Sequence, residues 1–170
     1  MTRCTLTLRL EGPLSTAGLA SAGHGVDQPF LRDHDGCMIL AGTLVRGNVR
    51  HVLDAIAATA PDHLPADTVA RWFGVASGSD DGQEAFASPE AWAPSSGTLR
   101  FGDLRAQNGA AATTITRIAV DEGTGSVVPG ALQVLESPAR PGEEVLFSGL
   151  LEAEPEALVW IERALRLVPA

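Results

Sequence analysis

The hydrophobic pattern changes period between the first ten residues and the stretch that follows residue 43. Near the N-terminus Leu6, Leu8 and Leu10 alternate with Thr5, Thr7 and Arg9, which places the leucines on one face of a half-buried strand. Gly12 and Pro13 end it. Further on, Leu44, Val45, Val49, Val52, Leu53, Ile56 and Ala57 recur at helical spacing. A helix is therefore expected from near Thr43 to about Thr59, stopping before Pro61. A chain that carries both periods must pack strands and helices around a common core.

The remaining segments extend that alternation. Residues 14–26 are small and glycine-rich and read as a loop, and Asp67 suits the cap of a short helix running through Trp72. Residues 76–97 carry Gly, Ser, Asp and Pro throughout, the composition of an insertion. Strand character returns at 98–106. Two β-rich runs, 113–121 and 127–137, flank the turn D-E-G-T-G-S and predict a hairpin or a looser ribbon. Residues 144–153 read as another strand, and 155–167 as a helix with acids at its start and arginines near its end, as the helix dipole favours. The sum is an α+β chain in the order β-α-β-β-α, the ferredoxin-like (RRM-like) order without its last strand. A single domain over residues 1–170 is expected, since 170 residues with 45% hydrophobic content supply one core. No run of about 18 apolar residues and no basic-then-apolar leader occurs, so neither a membrane span nor secretion is indicated. Cys4 and Cys37 have no metal-ligand spacing, which fits a reduced, cytoplasmic setting.

Chemistry concentrates in residues 27–50. The start of the expected helix joins Gly42 and the hydroxyl of Thr43 to Arg46 and Arg50, four apart on one face beside an end that bears positive partial charge. Such an end suits a phosphate, and Gly47 leaves room for close backbone approach at a cost of roughly 1 kcal/mol relative to alanine. An amphipathic helix with solvated arginines is the alternative reading. Asp27 precedes Gln28 and Pro29, and proline holds the residue before it extended, which presents the acid away from the backbone. Ionised at neutral pH, an aspartate there accepts a proton weakly, holds a hydrated divalent cation, orients a ribose 2′-hydroxyl, or simply shapes a turn. His24 suits either acid–base assistance or a backbone contact. Asp33 and Asp35 suit turn-shaping better than metal binding, and no dedicated metal site is expected. The net charge of −9 opposes nucleic-acid binding. Its distribution softens that objection, because acids crowd 80–90, 121–122 and 143–162 while Arg32, Arg46, Arg50, Arg100, Arg105 and Arg117 fall among the motifs. No P-loop, H-E-x-x-H, G-x-S-x-G or C-x-x-C is present, and the absence of tyrosine gives no sign of RRM-type base stacking.

The wording of these segments resembles the RAMP superfamily, the ferredoxin-like backbone subunits of CRISPR effector complexes. Its early pattern, D-x-P-hydrophobic-x-D, a D-G turn, then P-G-S-S-L-K-G-x-x-R, is similar to Asp27, Pro29, Asp33, Asp35, Gly36, Gly42, Thr43, Arg46, Gly47 and Arg50, with arginine in place of the usual lysine. Trp72, Phe73 and Gly74 resemble its L-F-G. Gly97, Leu99, Phe101 and Asp103 resemble its G-x-L-x-F-x-D strand. Arg117, Ile118, Asp121, Thr124, Gly125, Gly130 and Leu132 resemble the R-x-x-I-D-x-x-T-G…G-x-L hairpin. The resemblance implies a RAMP domain whose 113–137 hairpin is the thumb that reaches a neighbouring subunit's RNA. It implies guide-RNA and target-RNA contacts at His24, Gly42, Thr43, Arg46, Gly47, Arg50 and Arg117. Relatives that cleave target RNA carry an acid at the position of Asp27, so it implies an endoribonuclease of antiviral defence with Asp27 as catalytic residue and Mg²⁺ as cofactor. Partners would be other effector subunits, including copies of this chain. Two departures stand out: the family's histidine near Ser15 and Thr16 is absent, and the sequence stops at Ala170 before the usual glycine-rich loop and last strand. A non-catalytic RAMP scaffold, and an acidic interaction protein of the same fold without RNA, are the alternatives.

Overall fold

A computed structural model describes residues 1–16, 25–75, 95–107 and 112–168. The elements are β1 (Thr2–Glu11), β2 (Ile39–Leu40), α1 (Gly42–Thr59), α2 (Ala66–Phe73), β3 (Gly74–Val75), β4 (Ser95–Ser96), β5 (Arg100–Phe101), β6 (Leu104–Ala106), β7 (Thr113–Arg117), β8 (Gln133–Ser137), β9 (Glu144–Ala153) and α3 (Pro155–Leu167). The main sheet has the order β1-β9-β6-β2, with β5 also on β9, and two small antiparallel ribbons, β3–β4 and β7–β8, stand apart from it. The fold class is α+β, as the mixed periods predict. Most of the expected insertion, residues 76–94, lies outside the described residues.

The chain divides into two compact units. The first comprises Met1–Cys4, Thr43–Gly102 and Leu150–Pro169. Helix α1 supplies it with Val45, Val49, Leu53 and Ala57, all buried and spaced four apart, so a single stripe faces the interior. The helix ends where the Thr59 hydroxyl donates to the carbonyls of Ala55 and Ile56 and Pro61 follows. Helix α2 adds Val69, Trp72 and Phe73, and α3 adds Ala157, Ile161 and Ala164. The cap position of α2 belongs to Pro65, with no side-chain cap bond, so Asp67 sits in the first turn rather than at the cap. Proline serves there because its fixed φ suits the extended cap conformation. Phe73 stacks on Phe101, ring centroids 6.4 Å apart.

Gly74 and Gly97 let the chain cross itself beside α2. Gly74 has φ +80°, and a Cβ on Gly97 would lie 2.2 Å from the Trp72 carbonyl oxygen, so neither position accepts a side chain. Behind them, the Thr98 and Leu99 N–H groups donate to the carbonyls of Arg71 and Trp72.

The second unit comprises Thr5–Gly42 and Asp103–Gly149. Its interior holds Phe30, Met38, Ile39, Leu40, Leu104, Leu135, Val145 and Phe147, with Phe30 stacked on Phe147 at 6.1 Å. Ser137 is fully buried, its hydroxyl donating to the Ala139 carbonyl and accepting the Leu14 N–H. Ribbon β7–β8 pairs Thr113 with Ser137 through Arg117 with Gln133, and Val120 bridges Val127 nearer the tip. At the tip Asp121 Oδ1 accepts the N–H and hydroxyl of Thr124, which closes the turn and holds the Asp121 carboxyl below its ordinary range.

The strand expected at 98–106 is broken in two. Beside β9, Arg100 and Phe101 pair with Glu152 and Leu151, but Arg105 and Ala106 pair with Ser148 and Phe147. Three residues, Gly102, Asp103 and Leu104, thus oppose two, Gly149 and Leu150, which is a β-bulge. A Cβ on Gly149 would fall 2.5 Å from the Asp103 carbonyl oxygen, so the close backbone approach at the bulge requires glycine there.

Candidate nucleic-acid interface

The acidic segment is fastened from both sides. Asp27 donates its N–H to the Val134 carbonyl and accepts the Val134 N–H on Oδ2, at 2.8 and 2.7 Å, so the residue clamps one position of β8. Glu136 donates its N–H to the Gln28 carbonyl at 2.9 Å, and Gln28 forms a parallel bridge with Leu135. The Glu136 carboxylate then accepts the Phe30 N–H and a guanidinium N–H of Arg32. Pro29 and Phe30 are buried while Asp27 stays exposed. The extended run before Pro29 therefore leaves one carboxylate oxygen tied to the strand and Oδ1 beside solvent.

Asp33 and Asp35 build the turn that their spacing predicts. Asp33 Oδ1 accepts the N–H groups of Asp35 and Cys37 at 3.0 and 2.9 Å, and Gly36 follows at φ +79°. On the far side Arg105 from β6 reaches Asp33 at 2.6 Å and Asp35 at 2.8 Å. Desolvation works to raise the Asp33 carboxyl, but the Cys37 and Asp35 N–H groups and the Arg105 charge together hold it below the usual carboxylate range. The same two acids, the Asp35 bond foremost, raise Arg105. All the bonding shown by this cluster is internal, which is what a fixed turn requires and a metal site does not.

At the helix start the expected phosphate position already has an anion. Helix α1 begins at Gly42, one residue before Thr43, and the buried Gly42 N–H donates to Asp103 Oδ1 at 2.8 Å. The bulge of β5 and β6 puts that carboxylate where a helix terminus favours negative charge. Arg46 donates through Nη2 to the Phe73 carbonyl, and its guanidinium lies 5.8 Å from the centre of the Phe73 ring. Its Nε is buried with no partner among the described residues. Arg50 is half-exposed and meets Asp54, one turn on, at 3.4 Å. Thr43 and Gly47 are exposed, with open space around the position of a Gly47 Cβ. Arg117 is exposed on β7. His24 lies outside the described residues.

Two fastening roles escape a sequence reading, that of Asp103, known there only as a motif residue, and that of Glu136. Asp103 caps α1 from a distance of 61 residues, and Glu136 locks the Asp27 segment from 104 to 106 residues away. Glycines inside strand patterns, Gly102 and Gly149, are the one signal of the bulge that carries Asp103. For a divalent cation, the described residues contain no group of three or more His, Cys, Asp or Glu side chains able to hold it. Asp27 fits Mg²⁺ only as one ligand among phosphate oxygens and waters, the arrangement usual for that ion on nucleic acid. No helix among the described residues is long and apolar enough to cross a membrane. Compared with known proteins, the chain matches no family model, and none of the curated proteins is significantly similar to it.

Proposed function

We propose that the chain is an RNA-binding backbone subunit of a type III CRISPR effector, of the RAMP kind, and that Asp27 acts on target RNA paired to the guide. The supporting observation is the agreement between motif order and element order. The D-x-P segment leads into α1, the G-x-L-x-F-x-D pattern runs through β5 to the bulge, and the R-x-x-I-D…T-G pattern starts at Arg117, the end of β7, and fills the segment that joins β7 to β8. The run β1, β9, β6 in the main sheet is compatible with the strand neighbours of a ferredoxin-like domain and supports the reading without deciding it. Asp27 stands against β8 of the ribbon that this family uses as its thumb.

In that setting the acid orients a ribose 2′-hydroxyl and accepts its proton. The 2′-oxygen bonds to the adjacent phosphorus and the bond to the 5′-oxygen breaks, the departing oxygen taking a proton from water, which gives a 2′,3′-cyclic phosphate and a 5′-hydroxyl end; the proton on Asp27 returns to solvent. Mg²⁺, when bound, would offset charge on the phosphate oxygens. Backbone contacts fall to Thr43, Gly47, Arg50 and Arg117, with the guanidinium of Arg46 already engaged by Phe73.

A second reading, a RAMP scaffold that spaces the complex without cutting, is favoured by one observation: half of the Asp27 carboxylate is spent on the Val134 N–H. Cleavage of complementary RNA by the assembled complex separates the two. Asp27→Asn keeps an acceptor for Val134 but removes the charge, and is expected to bind RNA normally while cutting about a hundredfold slower or less. Unchanged cutting by Asp27→Asn and Asp27→Ala sinks the catalytic assignment, and a wild-type complex that binds yet never cuts with Mg²⁺ supports the scaffold. RNA recovery unaltered by Arg46→Glu with Arg50→Glu points instead to an interaction protein that does not bind RNA.

A further inference from the structure

Strand β1 ends the main sheet, and no described strand pairs with its outer side. It is ten residues long and contains no proline. Cys4, Leu6, Leu8 and Leu10 are only half-buried, whereas Val145, Phe147, Leu151 and Ala153 on the adjacent β9 are buried. A long edge with a row of half-covered leucines is normally paired, covered or charged.

We propose that β1 pairs antiparallel with β1 of a second copy, about a two-fold axis through Thr7. Residues directly opposite in an antiparallel pair share a face, so leucines meet leucines only in registers that oppose even-numbered positions to even ones. With Thr7 opposite itself, Leu6 meets Leu8 and Cys4 meets Leu10 on the apolar face. On the polar face Arg3 meets Glu11 and Thr5 meets Arg9. The symmetry makes each contact twice.

The neighbouring registers are worse. Centring on Leu6 sets Arg3 against Arg9 and Thr2 against Leu10, while centring on Leu8 puts Arg3 beyond the paired length and Glu11 against Thr5. Arg3 already bonds one oxygen of Glu152 through Nε and Nη2, but its side chain is 72% exposed and Nη1 remains for Glu11, which is itself exposed. Centring on Leu8 would set all three leucines against leucines, but only the Thr7 register also sets Arg3 against Glu11, so charge complementarity decides the register and the occupant, a copy of this chain. This association does not depend on RNA or on the proposed function.

The test is sedimentation of the full chain over a wide concentration range, without nucleic acid. A monomer–dimer equilibrium is expected, weakened about tenfold or more by Glu11→Arg or by Arg3→Glu and restored when the two are combined. Far-UV circular dichroism checks that each variant is folded. Register is read by cross-linking with oxidised glutathione in a Cys4→Ser, Cys37→Ser background. Thr7→Cys should form a disulfide-linked dimer, because residues facing each other on the axis lie within disulfide reach, whereas Thr5→Cys should not. A chain monomeric at every concentration overturns the proposal, as does failure of the charge swap to restore association. Equal cross-linking at Thr5 and Thr7 overturns the register.

Discussion

The segment from Asp27 to Arg32 and the start of α1 carry the residues with the clearest chemistry, and the fold treats them differently. In the first, the fastening is done mainly by partners: Glu136 and the backbone of Val134 hold the chain, and an exposed aspartate keeps one oxygen to spare. In the second, the functional-looking groups are themselves the fasteners. The Gly42 N–H is spent on Asp103, Arg46 on Phe73 and Arg50 on Asp54. The difference teaches that a residue type suited to phosphate is equally suited to a helix end or a bare carbonyl. Which of these it serves depends on what the chain brings within about 3 Å.

The comparison breaks most readily at Arg46. Arg46→Ala removes a charged donor from the Phe73 carbonyl and uncovers the Phe73 ring, and a loss of about 2 kcal/mol is expected in chemical denaturation. If stability instead stays level while RNA binding falls, the side chain serves RNA and the comparison fails. A smaller effect of opposite sign is expected at Gly47. Alanine there meets open space on an exposed helical face, so Gly47→Ala should stabilise the protein by about 1 kcal/mol. Weakened RNA binding in the same variant would show that the glycine is kept for close approach by a backbone.

The smallest change at neutral pH is expected from Arg105→Ala, since exposed ion pairs contribute little. Acid sharpens it. The folded Asp33 carboxyl lies below its ordinary value of 3.8, so its contribution is fully present above that value and lost as pH falls through the lower folded one. The gap in stability between wild type and Arg105→Ala should therefore close as pH drops below about 4. Thermal unfolding across that range measures it, and a gap that widens in acid would mean that Arg105 does not hold Asp33.

Much of the fold was legible because local pattern and final packing agree. The alternation of residues 5–10, the stripe of α1 and the acid-to-base polarity of α3 each specify an element whose apolar face is the one that ends up turned inward. The D-H-D-G turn was legible too, since Asp33 bonds to N–H groups two and four residues away. The break in the 98–106 strand was not. Its cause is an extra residue relative to β9, a quantity that belongs to a pair of strands and has no value for one of them alone.

The sequence by itself determined where the long elements β1, α1, β9 and α3 form, because hydrophobic period, proline and glycine act over a few residues. Tertiary structure alone decided the employment of the polar side chains. Asp103, Glu136 and Arg105 act on partners 61 to 106 residues away, across strand neighbours that only the assembled sheet creates. A hydrogen bond needs its two atoms within about 3 Å, and chain separation of that length places no such limit until the fold is complete.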